Sequence, residues 1–187
     1  GDFDLAIENL RKKGQKVAAN RADRESSEGA VIAIVSADKT TGAIVSLNCE
    51  TDFVGKNESF IKLAQDFAEL ALNFDTKEAF LAADYNGITI AEKLIEQTGV
   101  IGEKIEIRSF ERLDGAFIGS YIHAGNKIAT LVALSANVEG AEEVAKNVSM
   151  QAAAMAPIAL NEAGVDADTI AKEIEIAKDL LRQEGKP

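Results

Sequence analysis

An α+β fold made of two related modules, each an antiparallel sheet with helices packed against it, is what this sequence predicts. Three observations carry that expectation. Runs of β-branched residues around short Gly-containing turns mark antiparallel hairpins. Segments with apolar residues at three- and four-residue spacing follow each hairpin and read as helices. The same order, hairpin then helix, opens at Gly29 and returns at Gly115, as in an internal duplication. With 187 residues, 47% of them hydrophobic, the chain can bury a core as one domain or two small ones.

Residues 1–24 read as a helix and a linker. The basic run Arg11, Lys12, Lys13, Lys16, Arg21 and Arg24 has no interleaved aromatics, so it reads as a solvated hinge. Residues 25–113 form the first module. A strand from Gly29 to Ser36, a turn through Asp38–Gly42 and a strand over Ala43–Leu47 make its hairpin. Asn57 is placed to cap the helix that follows, whose apolar face is Phe60, Leu63, Ala64, Phe67, Leu70 and Ala71. A connecting helix near Asp75–Ala83 leads to a second core helix, Thr89–Thr98. There Thr89 and Glu92 match a capping box, and Gly99 suits a C-terminal stop. An alternating strand, Lys104–Arg108, closes the module.

Residues 114–157 repeat the hairpin, with a turn at Ala124–Asn126, and then a helix presenting Ala141, Val144, Ala145, Val148, Ala152 and Met155 before Pro157 stops it. This second module lacks the closing strand of the first, so an edge of its sheet is unpaired and open to another chain. Residues 158–187 read as a loop and a protruding charged helix, about Asp168 to Gln183. Its narrow stripe of Ile170, Ile174, Ala177 and Leu181 is that of one arm of a helical hairpin. The open edge and this stripe together predict self-association as a homodimer.

A net charge of −11 argues against direct binding of nucleic acid, because phosphate contacts need clustered Lys and Arg. One Cys cannot form an internal disulfide, and no apolar run is long enough for a membrane span, which fits a reducing, cytoplasmic setting. There is no phosphate-binding Gly-x-x-x-x-Gly-Lys-Ser/Thr loop, so the chain is not expected to hold a nucleotide or other cofactor itself. One His and one Cys do not make a metal set. Cys49 and His123 lie near strands in equivalent repeats and would be the nucleophile and base of a small thiol enzyme. No residue to orient the base is evident, and Cys49 fits better as a small buried hydrophobe.

The run Asn48-Cys49-Glu50-Thr51-Asp52-Phe53-Val54 puts a bare aromatic between a strand pattern and a helix pattern. Exposed there, Phe53 would be an anchor for a partner's pocket. Folded back, it would be one more core Phe. The carboxylates Glu50, Asp52 and Glu58 would form a polar rim. The longer run NCETDFVGKNESF closely resembles the signature loop of translation elongation factor Ts, the nucleotide-exchange factor of the GTPase elongation factor Tu. Residues 1–12, Ile101-Gly102-Glu103-Lys104-Ile105 and Gly119-Ser120-Tyr121-Ile122-His123 resemble further family segments, in family order. Relative to that family, the sequence reads as a fragment that begins in the last helix of the N-terminal domain and ends before the helical arm returns.

The resemblance implies guanine-nucleotide exchange by protein binding, without covalent chemistry. Thr51, Asp52, Phe53 and Val54 would enter elongation factor Tu, with Phe53 as the wedge and Asp52 making polar contacts beside it. Ile101 and Gly102 resemble a second contact on the GTPase domain, and His123 a position facing another domain of the partner. The rival readings are the thiol enzyme and a plain oligomerisation module.

Overall fold

The computed structural model describes residues 2–186 and shows an α+β chain of small antiparallel sheets with packed helices. It divides into two compact units, the boundary falling after Ala153.

In the first unit, helix α1 (Phe3–Asn20) begins at Asp2, whose carboxylate accepts the Leu5 N–H, and runs unbroken through the basic segment. The solvated hinge expected there is therefore helix as far as Asn20. Gly14, within that segment, is buried because it lies at the crossing with a later helix.

Strands β1 (Glu28–Val35) and β2 (Thr41–Cys49) pair antiparallel. A third strand, β3 (Glu106–Asp114), joins the free side of β2. It is longer than the expected Lys104–Arg108 because its partner β2 runs on to Thr41. Helix α2 (Asp52–Gly55) is a single turn, and α3 (Glu58–Ala71) starts at the Asn57 cap. Phe60, Leu63, Ala64, Phe67, Ala68 and Ala71 of α3 press on one face of the sheet with Ala30, Ile32, Val45, Leu47 and Ile107, all buried. Phe67 and Phe80 meet edge to face, with Phe80 supplied by α4 (Lys77–Leu81).

A two-residue hairpin, β4 (Asp84–Tyr85) and β5 (Ile88–Thr89), was not expected. Its Asn86-Gly87 turn has φ of +57° and +87°, the type of turn that pair favours. The capping box at Thr89 and Glu92 is formed. Helix α5 (Ile90–Ile101), however, passes through Gly99 and ends at Gly102, left-handed at φ +81°.

The second hairpin, β6 (Phe117–Ile122) and β7 (Ala129–Leu134), is two-stranded. It meets the first sheet at Gly42, where an added Cβ would fall 2.8 Å from an Ile118 methyl and 3.0 Å from one of Leu131. Helix α6 (Ala141–Met155) lies on it through Ala141, Ala145 and Ser149, and Thr130 Oγ1 donates to the Ser149 carbonyl at 2.7 Å. Val144, Val148 and Met155 of the expected core face are exposed instead. The hairpin is narrow, and small residues let α6 approach along one line only.

In the second unit, one 3-10 turn (Glu162–Gly164) precedes α7 (Ala167–Gln183), capped by Asp166 on the Thr169 N–H. None of its residues is buried.

Candidate functional site

Strand β2 delivers Cys49 into the core, and the chain then leaves it at Glu50. Thr51 is extended and precedes the single turn of α2 without capping it through its side chain. Two contacts seat that turn. Val54 packs against the core, and Gly55 rests on the backbone of Gly29, where an added Cβ would lie 3.1 Å from the Gly29 nitrogen. Phe53, on the other side of the turn, is 85% exposed. Asp52 pairs with Lys56 at 2.6 Å, and that ammonium holds the Asp52 carboxyl below its ordinary range.

Two carboxylates cross between this turn and the one after α5. Glu103 Oε2 accepts the N–H groups of Glu50 and Thr51, each at 3.0 Å, while Thr51 Oγ1 donates to Glu103 Oε1 at 2.6 Å. In return Glu50 Oε1 accepts the Lys104 N–H at 2.7 Å, and both Glu50 oxygens take the Arg21 guanidinium, at 2.8 and 2.9 Å. The Lys104 N–H, followed by Arg21, holds the Glu50 carboxyl below its usual value against the opposing effect of burial. Lys104 also donates to the carbonyls of Ala22 and Arg24. Ile101 and Gly102, at the end of α5, are thereby fixed beside Thr51.

His123 is exposed at the end of β6, its Nδ1 2.8 Å from the Tyr121 hydroxyl. The turn it opens is tied to β1: Asn126 accepts the Val31 N–H at 2.9 Å, and Lys127 reaches Glu28 and the Gly29 carbonyl. Gly29 thus carries α2 on one side and the His123 turn on another.

A family model described as "Elongation factor TS" matches residues 50–187. An elongation factor Ts of Flavobacterium psychrophilum is 76% identical over 187 residues, all of this chain and 68% of that protein. One of Christiangramia forsetii is 72% identical over the same span and share. One of Flavobacterium johnsoniae is 62% identical over 174 residues, 93% of this chain and 54% of its own length. The chain belongs to the elongation factor Ts family.

The seven expected contact residues lie on three segments that share anchors through Glu103 and Gly29. Sequence reasoning missed the anchors. Glu50 is no part of a rim around Phe53, since it turns inward to Arg21 and Lys104, and Asp52 is engaged by Lys56. Both glutamates stood in the quoted family runs, but their exchange of partners spans some fifty residues of sequence and has no local signature.

The thiol-enzyme reading finds no support in this geometry. Cys49 is fully buried and donates to the Thr51 carbonyl at 3.2 Å. Burial, then the Glu103 charge, pushes its thiol up to about 11, so it holds no thiolate at neutral pH. No helix among the described residues is long and apolar enough to cross a membrane.

Proposed function

We propose that this chain promotes release of GDP from elongation factor Tu by inserting Phe53 into it. The supporting observation is the combination at α2: a large aromatic 85% exposed on a turn whose next two residues are seated against the core. An aromatic that served folding alone would be on the Val54 side. Presented on an anchored support, Phe53 has the form of a binding hot spot.

The exchange chemistry follows from what holds GDP on a GTPase. Backbone amides cradle the phosphates, and a magnesium ion demands near-octahedral geometry and tolerates little displacement. A wedge that shifts the elements carrying these groups loosens the nucleotide without any bond being made or broken. Burying one Phe contributes roughly 1.5–3 kcal/mol, enough for one to two decades in nucleotide affinity. Linkage makes the effect reciprocal: GDP weakens the factor by the same ratio, so the nucleotide-free complex is the tightest. Thr51, Asp52 and Val54 border the wedge, Ile101 and Gly102 form a second contact, and His123 faces another domain of the partner.

In this reading the chain works in the cytoplasm on a protein partner, without nucleic acid, membrane or cofactor. Residues 25–113 and 114–157 act as two modules bridged by the Gly29 region. Self-association through α7 is a separate reading, favoured by the exposed Ile174, Ile176, Leu180 and Leu181 on that helix. Mixing the chain with elongation factor Tu loaded with fluorescent GDP tests the proposal. Release should accelerate with added chain, whereas an unchanged rate at saturating concentration contradicts it.

A further inference from the structure

A one-turn helix does not hold itself together, since four residues cannot offset the cost of nucleation. Here α2 also lacks a side-chain cap from Thr51, so its entry must be fixed from outside. Val54 and Gly55 seat the far end. At the near end, the backbone N–H groups of Glu50 and Thr51 share one acceptor, because Glu103 takes both of them together with the Thr51 hydroxyl. All three bonds converge on one carboxylate, and bonds to such an acceptor are of the stronger kind. Glu103 directly follows Gly102, the left-handed residue that ends α5. The same carboxylate that fixes the wedge therefore fixes its distance from Ile101 and Gly102.

We infer that Glu103 is the positioning residue for exchange: it keeps Phe53 and the Ile101–Gly102 turn in one preset arrangement, so that the free chain is already competent to bind. This inference rests on the exchange reading above. Its energetic content is the competent fraction. If the loop visits the binding arrangement only part of the time, the apparent dissociation constant rises by the inverse of that fraction, while the complex once formed is unchanged. Loss of Glu103 should thus raise the concentration of chain needed for half-maximal GDP release and leave the plateau rate alone. Loss of Phe53 should lower the plateau.

The test uses the 187-residue chain with Glu103→Ala, Glu103→Gln, Thr51→Val and Phe53→Ala. Two quantities are measured: GDP release against chain concentration, and amide hydrogen exchange at Glu50 and Thr51. Glu103→Ala should raise the half-saturating concentration roughly tenfold, with the plateau retained and the two amides exchanging faster. Glu103→Gln should restore most of the affinity, because the amide oxygen still accepts both N–H groups and its nitrogen donates to Thr51 Oγ1. Thr51→Val, which removes one bond from the opposite side, should by itself speed exchange of the two amides, less than Glu103→Ala does, and keeps the grip testable should Glu103→Ala not fold.

A half-saturating concentration unmoved by Glu103→Ala while Phe53→Ala loses activity overturns the positioning role and leaves the wedge standing. Unchanged amide protection at Glu50 and Thr51 in Glu103→Ala overturns the grip itself. Full activity of Phe53→Ala overturns the exchange reading, and the positioning role with it.

Discussion

Gly99 of α5 lies against Gly14 of α1 so closely that a Cβ on Gly99 would stand 2.6 Å from the Gly14 Cα, nearer than side-chain carbons come to backbone. This crossing joins the opening helix to the helix whose end carries Ile101 and Gly102. The far end of the segment that begins with α1 delivers Arg21 to Glu50. The basic segment is thus a built part of the site's support.

Gly99→Ala should therefore destabilise the chain although Ala is the better helix former by roughly 0.5–1 kcal/mol. Overpacking at about 1–3 kcal/mol exceeds that gain, so a net loss on the order of 1 kcal/mol is expected in urea unfolding. A more stable Gly99→Ala variant would mean that the two helices do not cross at these glycines.

Cys49 should resist thiol reagents at neutral pH and react only as the chain unfolds. Its folded-state value of about 11 lies above the ordinary value of 9.0. A raised acid contributes its stability below the unfolded value and loses it as pH climbs toward the folded one. Stability should fall between pH 9 and 11, by on the order of 2 kcal/mol from this group. Tyr85, also raised, acts in the same direction above its ordinary value of 10.0. Cys49→Ala should remove the Cys49 part, and an equal alkaline loss in that variant would contradict the assignment.

Glu50 has the opposite sign. Its carboxyl is held below the ordinary 4.5, first by the Lys104 N–H and then by Arg21, against burial. That contribution is complete above pH 4.5 and disappears as pH falls through the lower folded value. Acid unfolding should show a Glu50-dependent component only below pH 4.5, absent in Glu50→Gln. A component of the same size in both chains would place the acid sensitivity elsewhere.

Self-association through α7 predicts a concentration-dependent rise in sedimentation coefficient that Ile174→Glu with Leu181→Glu abolishes. Both side chains are exposed on this helix, so the pair should not change the fold of the rest. A chain that stays monomeric at high concentration would remove that reading and leave the exchange proposal untouched.

What the sequence disclosed was what local physics controls. The β1–β2 hairpin, the Asn57 cap and the Thr89–Glu92 capping box all lie within a few residues of their causes, and each formed. Gly99 misled because a glycine ends helices for local reasons and sits inside them for tertiary ones, and here the second applies. The Asn86-Gly87 turn has a local signature in its residue pair, and both residues take the positive φ that pair favours. Val144 and Val148 have the spacing of a core face but stand exposed on α6, whose contact with the hairpin runs through its small residues. At the site, the residues alone left Phe53 open between an anchor and one more core Phe, and the resemblance of the run around it singled it out; the structure has it 85% exposed. Glu103 was not, because its three bonds exist only after α5 and β2 have been brought together.

Phe53→Ala, assayed for GDP release from elongation factor Tu beside its own urea unfolding, is the most direct measurement. Release should fall by about one to two decades, and stability should change by no more than roughly 0.5 kcal/mol. Undiminished release, or a stability loss of about 3–5 kcal/mol such as a core Phe gives, would contradict it.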